Sequence, residues 1–255
     1  MPLVAGIEAF REALQGFESC YVLIGGGACS ILLDEVGSNF RATSDLDIVI
    51  LTEAISGEFG KAFWSFIRSG EYESWKNSLG EATYYRFVLP KGSSHDDKYP
   101  KQIELFARHP SFALSNEESD IAPLHIDEDI RSLSAIVLDD GYYDFIRDGV
   151  STIDGVPLLR ALHVIPLKMR AHIDLNRRHD AGEHVNDKDL RKHRADVCTL
   201  AGLLPGDASL HLGGTLREDA QAFLEDFDDY ISKETSAKKR RALTEVRSTL
   251  QDVYL

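Results

Sequence analysis

The sequence predicts an α+β fold: a mixed sheet flanked by helices over residues 1–155, followed by a helical bundle over residues 156–255. Three observations carry this reading. Short apolar runs bounded by turn residues recur in the first 155 residues. From Pro157 onward, apolar residues recur at helical spacing instead. The length of 255 residues, with 43% hydrophobic and 27% charged residues, is that of an ordinary globular chain that buries a core, in one large domain or two small ones.

Ile7, Phe10, Leu14 and Phe17 place an amphipathic helix over residues 4–18. Tyr21–Ile24 is a short apolar run suited to a buried strand. Gly25, Gly26 and Gly27 follow it, and Ala28–Glu35 reads as a helix that Gly37 and Asn39 end. The next strand is Leu46–Leu51, with Asp45 and Asp47 at its start. Phe59–Arg68 is a helix whose aromatic stripe belongs to the core. Residues 83–89 and Gln102–Phe106 read as strands, separated by a polar loop over Pro90–Pro100. Asp140-Gly141 and Asp148-Gly149 are hairpin signals, so residues 133–153 are expected to form an antiparallel meander. Pro157 and Pro166 each suit a first helical position, which predicts a short helix and then a second one starting near Pro166. Asn186 or Asp187 caps a further helix, and two more are centred on Phe223–Ile231 and Leu243–Val253.

Residues 21–52 hold the most informative chemistry. Strand periodicity puts Asp45 and Asp47 on one side. Two carboxylates so close repel unless a cation lies between them, and Mg²⁺ (or Mn²⁺) is the natural occupant of such an oxygen site. The glycines open a helix, where backbone N–H groups attract phosphate and the lack of a Cβ permits close approach. Ser44 and Thr43 either hydrogen-bond a phosphate or end the turn, and Arg41 either reaches the same cleft or pairs with a carboxylate. Glu104 lies between apolar Ile103 and Leu105, so it faces away from them; it is either a third carboxylate beside Asp47 or a solvent-facing strand glutamate. Asp120, Asp127 and Asp129 are the other candidates for that place.

The glycine turn followed by Asp45-Leu46-Asp47-Ile48 resembles the polymerase-β-type nucleotidyltransferase superfamily. GGGACSILL with FRATSDLDIVI is similar to its AbiEii-like toxin and minimal nucleotidyltransferase branch, and the likeness extends to IPLKMRAHIDL and DKDLRKHRADV. The resemblance implies a nucleotidyltransferase-type sheet, with the active cleft between it and the helical bundle. It implies Mg-dependent transfer of a nucleoside monophosphate from a nucleoside triphosphate to a protein, a small molecule or RNA. Asp45, Asp47 and Glu104 would be catalytic and metal-binding, and Gly25, Gly26, Ser44 and Lys168 would bind the nucleotide. A toxin role implies a cognate antitoxin as partner. Two alternatives stay open: a nucleotide-binding regulatory module without turnover, and a HEPN-like ribonuclease in the helical half, on the Arg178 and His184 spacing. Lys188, Lys192 and His193 read equally well as capping and helix-face charges.

Composition narrows the field further. A net charge of −14 argues against nonspecific nucleic-acid binding by the whole surface, although Lys238, Lys239, Arg240 and Arg241 form one basic cluster. No apolar run reaches membrane-span length, the N-terminal stretch is charged where a signal peptide is apolar, and Cys20, Cys29 and Cys198 lack metal-ligand spacing. A cytoplasmic protein is expected. The histidines lack the HExxH pattern and read as mostly surface residues; there is no GxSxG nucleophile elbow.

Overall fold

A computed structural model of the chain describes residues 4–38, 40–76, 82–95, 98–108, 121–124 and 133–255. The chain divides into two compact units, Met1–Leu159 and Arg160–Leu255. The expected boundary after residue 155 falls inside a hairpin that belongs wholly to the first unit.

The first unit is a mixed α/β structure. Its strands are β1 (Tyr21–Ile24), β2 (Asp45–Ile50), β3 (Glu73–Lys76), β4 (Ala82–Val88), β5 (Gln102–Arg108), β6 (Ile121–Leu124), β7 (Leu133–Leu138), β8 (Val150–Ile153) and β9 (Val156–Leu159). They form one sheet in the order β3-β4-β5-β2-β1-β9-β8, with β7 also joined to β5 and β6 to β7. β1 and β2 run antiparallel, and β2 and β5 parallel. The free edge of β5 is divided: β4 pairs with its first residues and β7 with its last. β1 is buried at every position, as an apolar run flanked by strands on both sides requires.

Three helices attach to this sheet's early strands: α1 (Ile7–Ala13), α2 (Gly25–Glu35) and α3 (Gly57–Ser69). α1 is shorter than the expected 4–18, because it starts after Gly6 and the chain turns at Gly16, both in the left-handed region. α2 ends as expected at Gly37, whose N–H bonds the Asp34 carbonyl while that of Ser38 bonds Leu33, a Schellman closure. Ser56 caps α3 by accepting from the Phe59 N–H. The aromatic stripe of α3 is core: Phe59 and Phe63 are fully buried, and Phe63 and Trp64 each meet Phe87 of β4 edge to face.

The meander expected over residues 133–153 is corrected. Asp140–Asp148 is a helix, α4, and not a hairpin turn. Asp139 caps it by accepting from the Tyr142 N–H, and Tyr142, Tyr143 and Ile146 fall on one buried face at helical spacing. The hairpin turn is Asp154-Gly155, both at positive φ, between β8 and β9.

The second unit consists of four helices: α5 (Ala161–Asp180), α6 (Asp187–Ala201), α7 (Gly214–Lys233) and α8 (Ala237–Tyr254). Two expectations fail at its start. Pro157 lies in strand β9, and Pro166 sits inside α5 without starting a new helix. A proline there deprives the Leu162 carbonyl of its helical N–H partner. The Tyr254 hydroxyl supplies the replacement, donating to Leu162 O at 2.8 Å. Of the two expected caps for α6, Asn186 takes the role, accepting from the Lys188 N–H. The last carbonyls of α8 are also satisfied: Leu210 N–H donates to Val253 O and Leu212 N–H to Tyr254 O. Phe223, Phe227, Leu250 and Val253 are buried in this unit's core. Among the described residues, no helix is long and apolar enough to cross a membrane.

Candidate functional site

The junction of β1 with α2 sets the site. Ile24 is extended, Gly25 turns to φ 64, and the helix begins with the glycines themselves, three residues before the expected start at Ala28. No side chain caps this helix start. A Cβ built on Gly25 would stand 1.8 Å from Asp47 Oδ2, so the glycine is a requirement of the neighbouring carboxylate. A Cβ on Gly26 would meet the Thr43 hydroxyl at 3.2 Å and the Arg41 guanidinium at 3.7 Å. The hydroxyl of Ser44 donates to Asp45 Oδ1 at 3.2 Å. Gly25, Gly26, Arg41, Thr43, Ser44, Asp45 and Asp47 are therefore gathered around one strand–helix turn.

Sheet register adds Glu104. Ile24 of β1 lies opposite Asp47 of β2, Asp47 opposite Glu104 of β5, and Glu104 opposite Arg86 of β4. Asp45 is exposed and Asp47 half-buried, while the Glu104 side chain is only 15% exposed. Burial pushes the Glu104 carboxyl above the ordinary glutamate value, and the nearby Asp47 and Asp45 charges push it the same way, against the pull of Arg86. The Arg86 guanidinium is ion-paired with Glu104. Among the described residues, no three His, Cys, Asp or Glu side chains converge at metal-ligand spacing. Glu104 is turned to Arg86. In donor type, Asp45, Asp47 and Glu104 fit a hard divalent cation: all three offer carboxylate oxygens, and Asp45 is open to solvent. Asp120, Asp127 and Asp129 lie outside the described residues.

Lys168 has a different setting. It is buried in the helical unit, with its ammonium 3.1 Å from the equally buried Asp196. That pair balances the lysine charge inside the helical unit, without a phosphate. His193, beside it, is held neutral, its pKa lowered to about 3 by burial and by the Lys168 charge. The histidines are not all on the surface: His163 and His172 are buried. His172 Nε2 lies 2.8 Å from Asp226 Oδ2, and its Nδ1 lies 3.1 Å from the Leu190 carbonyl, tying α5 to α6 and α7. Lys188 is exposed. Arg178 donates to Glu183, and Gly182 turns the chain at φ 85, so His184 lies beyond the end of α5.

Three side-chain partners escaped the sequence. Arg86 stands in a strand whose register with Glu104 no local pattern reveals. Asp196 appears in the noted DKDLRKHRADV stretch, but its pairing with Lys168 spans two helices. Asp226 lies 54 residues from His172. Comparison of the chain with protein-family models, with curated proteins and with solved structures finds no match.

Proposed function

We propose that the Met1–Leu159 unit is a polymerase-β-type nucleotidyltransferase module that takes a nucleoside triphosphate with a divalent cation and passes the nucleoside monophosphate to an acceptor hydroxyl. The observation that carries it is the register row: Gly25 presses on Asp47, and Asp47 stands beside Glu104. A helix start without a side-chain cap, opened by glycines, offers N–H groups to phosphate. Asp45, Asp47 and Glu104 would hold Mg²⁺ or Mn²⁺, which would supply charge neutralisation at the phosphates. Ser44 orients Asp45 through its hydroxyl, and Glu104 helps position the acceptor hydroxyl for attack on the α-phosphorus. The acceptor hydroxyl loses its proton to solvent, the new bond joins its oxygen to the α-phosphorus, the bond to the α–β bridging oxygen breaks, and pyrophosphate leaves. A toxin role with a cognate antitoxin remains part of this proposal through the resemblance alone.

One observation favours a second reading, nucleotide binding without turnover: Glu104 is already engaged by Arg86. The ribonuclease reading gains no support, since Arg178 is paired with Glu183 and His184 lies outside the helix.

The test uses labelled nucleoside triphosphates and cell extract, with and without Mn²⁺. Label transfer by the wild type, lost in Asp45→Asn with the melting temperature kept, is the expected result. Mn²⁺-dependent binding without pyrophosphate release would select the second reading. Wild-type affinity in Asp45→Asn and Asp47→Asn would overturn both.

A further inference from the structure

We propose that Arg86 is an internal counter-cation that holds Glu104 when no divalent ion is present and competes with that ion for the carboxylate. The inference rests on the reading of Asp45, Asp47 and Glu104 as a cation site, and adds to it the group that governs cation entry.

The geometry is that of an exchange. Glu104 sits mid-row, with Asp47 on one neighbouring strand and Arg86 on the other. Adjacent strands are about 4.8 Å apart, so neither a carboxylate nor a guanidinium at these positions escapes the field of Glu104. The sheet fixes the backbones; only side chains can rearrange. Glu104 is largely enclosed at 15% exposure, whereas Arg86 is 31% exposed. The arginine therefore has a route to water that the glutamate lacks. A competing cation operates the exchange. With Arg86 in place, a Glu104 carboxylate oxygen is engaged by the guanidinium. When a divalent ion occupies the Asp45–Asp47 side, Glu104 gains a doubly charged partner and Arg86 is released towards solvent.

The experiment is a Mn²⁺ titration read by electron paramagnetic resonance on the full chain, for the wild type, Arg86→Gln, Glu104→Gln and the double variant. Removing the competitor should tighten Mn²⁺ binding about tenfold in Arg86→Gln. The gain should vanish in the double variant, which should bind no tighter than Glu104→Gln. In chelator, Arg86→Gln should melt below the wild type, and Mn²⁺ should raise its melting temperature by more. Arg86→Lys, which keeps a charge but loses the planar fork, should show a smaller gain in the same direction and serves if Arg86→Gln does not fold. Equal or weaker Mn²⁺ binding in Arg86→Gln, with binding by the wild type, overturns the counter-cation role and leaves the cation site standing. A gain that persists without Glu104 also overturns it. No Mn²⁺ binding by any form removes the cation site itself and the inference with it.

Discussion

Gly25 and Asp47 occupy each other's space: a single methyl group on Gly25 would lie 1.8 Å from the Asp47 carboxylate oxygen. The turn and the strand are thus one feature. Gly25→Ala would add two penalties, a left-handed φ of 64 worth about 1–2 kcal/mol for a non-glycine residue and the displacement of Asp47. Gly26→Ala meets the Thr43 hydroxyl at 3.2 Å as its tightest neighbour and gains about 1 kcal/mol of helix propensity. Gly25→Ala should therefore lower the melting temperature and abolish Mn²⁺-dependent nucleotide binding, with Gly26→Ala melting at or above the wild type. Calorimetry and a fluorescent-nucleotide titration check both, and an undisturbed Gly25→Ala protein would refute the contact.

His172 and Asp226 give a pH prediction. The hydrogen bond from His172 holds the Asp226 carboxyl below the ordinary aspartate range, with Arg194 and Asn176 acting in the same sense. A depressed carboxylate pKa stabilises the fold above the ordinary aspartate value, and the contribution fades as pH falls through the depressed folded value. Asp226→Ala leaves a buried imidazole N–H without its acceptor and should cost about 1–3 kcal/mol near neutral pH. In urea denaturation from about pH 7 down to about pH 3, the gap between wild type and variant should narrow at the acid end. A gap independent of pH would mean that the carboxylate charge contributes nothing.

The sequence made some of this legible and hid the rest for physical reasons. Tyr21–Ile24 was readable as a strand because a buried strand needs a continuous apolar run, and the glycines with Asp45 and Asp47 were readable because each lies next to its own element's end. Asp140-Gly141 misled because an Asp-Gly pair serves a hairpin turn and a helix start alike; the Tyr142, Tyr143 and Ile146 spacing decides it. Pro166 misled because the donor that meets the Leu162 carbonyl in place of the missing N–H comes from a residue 88 positions later, Tyr254. The Lys168–Asp196 and Arg86–Glu104 pairs depend on helix packing and strand register, which no local pattern encodes.

The basic cluster of α8 is exposed, and its charges are partly used at home: Arg240 donates to the Glu234 carbonyl and Arg241 pairs with Glu245. Cations in a first helical turn oppose the macrodipole. Ser236 already accepts from the Lys239 N–H, so Lys239→Glu would complete a capping box. That substitution should stabilise the protein by about 0.3–1 kcal/mol in thermal unfolding. Replacing Lys238, Lys239, Arg240 and Arg241 by Ala should leave tRNA binding weak and little changed across a salt series. Tight, salt-sensitive binding that collapses in the replaced protein would reverse this and make RNA the first acceptor to try.

The Tyr254 hydroxyl and Pro166 both bear on the Leu162 carbonyl. Pro166 removes the N–H that this carbonyl would accept in an unbroken helix. Tyr254, fully buried at the end of α8, restores one donor at 2.8 Å. Burial also pushes the phenol far above its ordinary pKa, so the donor proton stays in place across the stable pH range. Tyr254→Phe keeps the ring and its packing but orphans a carbonyl inside the helical unit, at a cost of about 1–3 kcal/mol. In a Pro166→Ala background the helix supplies its own N–H to Leu162, and the same Tyr254→Phe change should cost less, about 0.5–1.5 kcal/mol. A double-mutant cycle by urea denaturation measures the difference directly. Equal costs in both backgrounds would show that the hydroxyl is not the proline's compensation. A smaller cost in the Pro166→Ala background would establish that the far end of α8 makes an interior proline tolerable in α5.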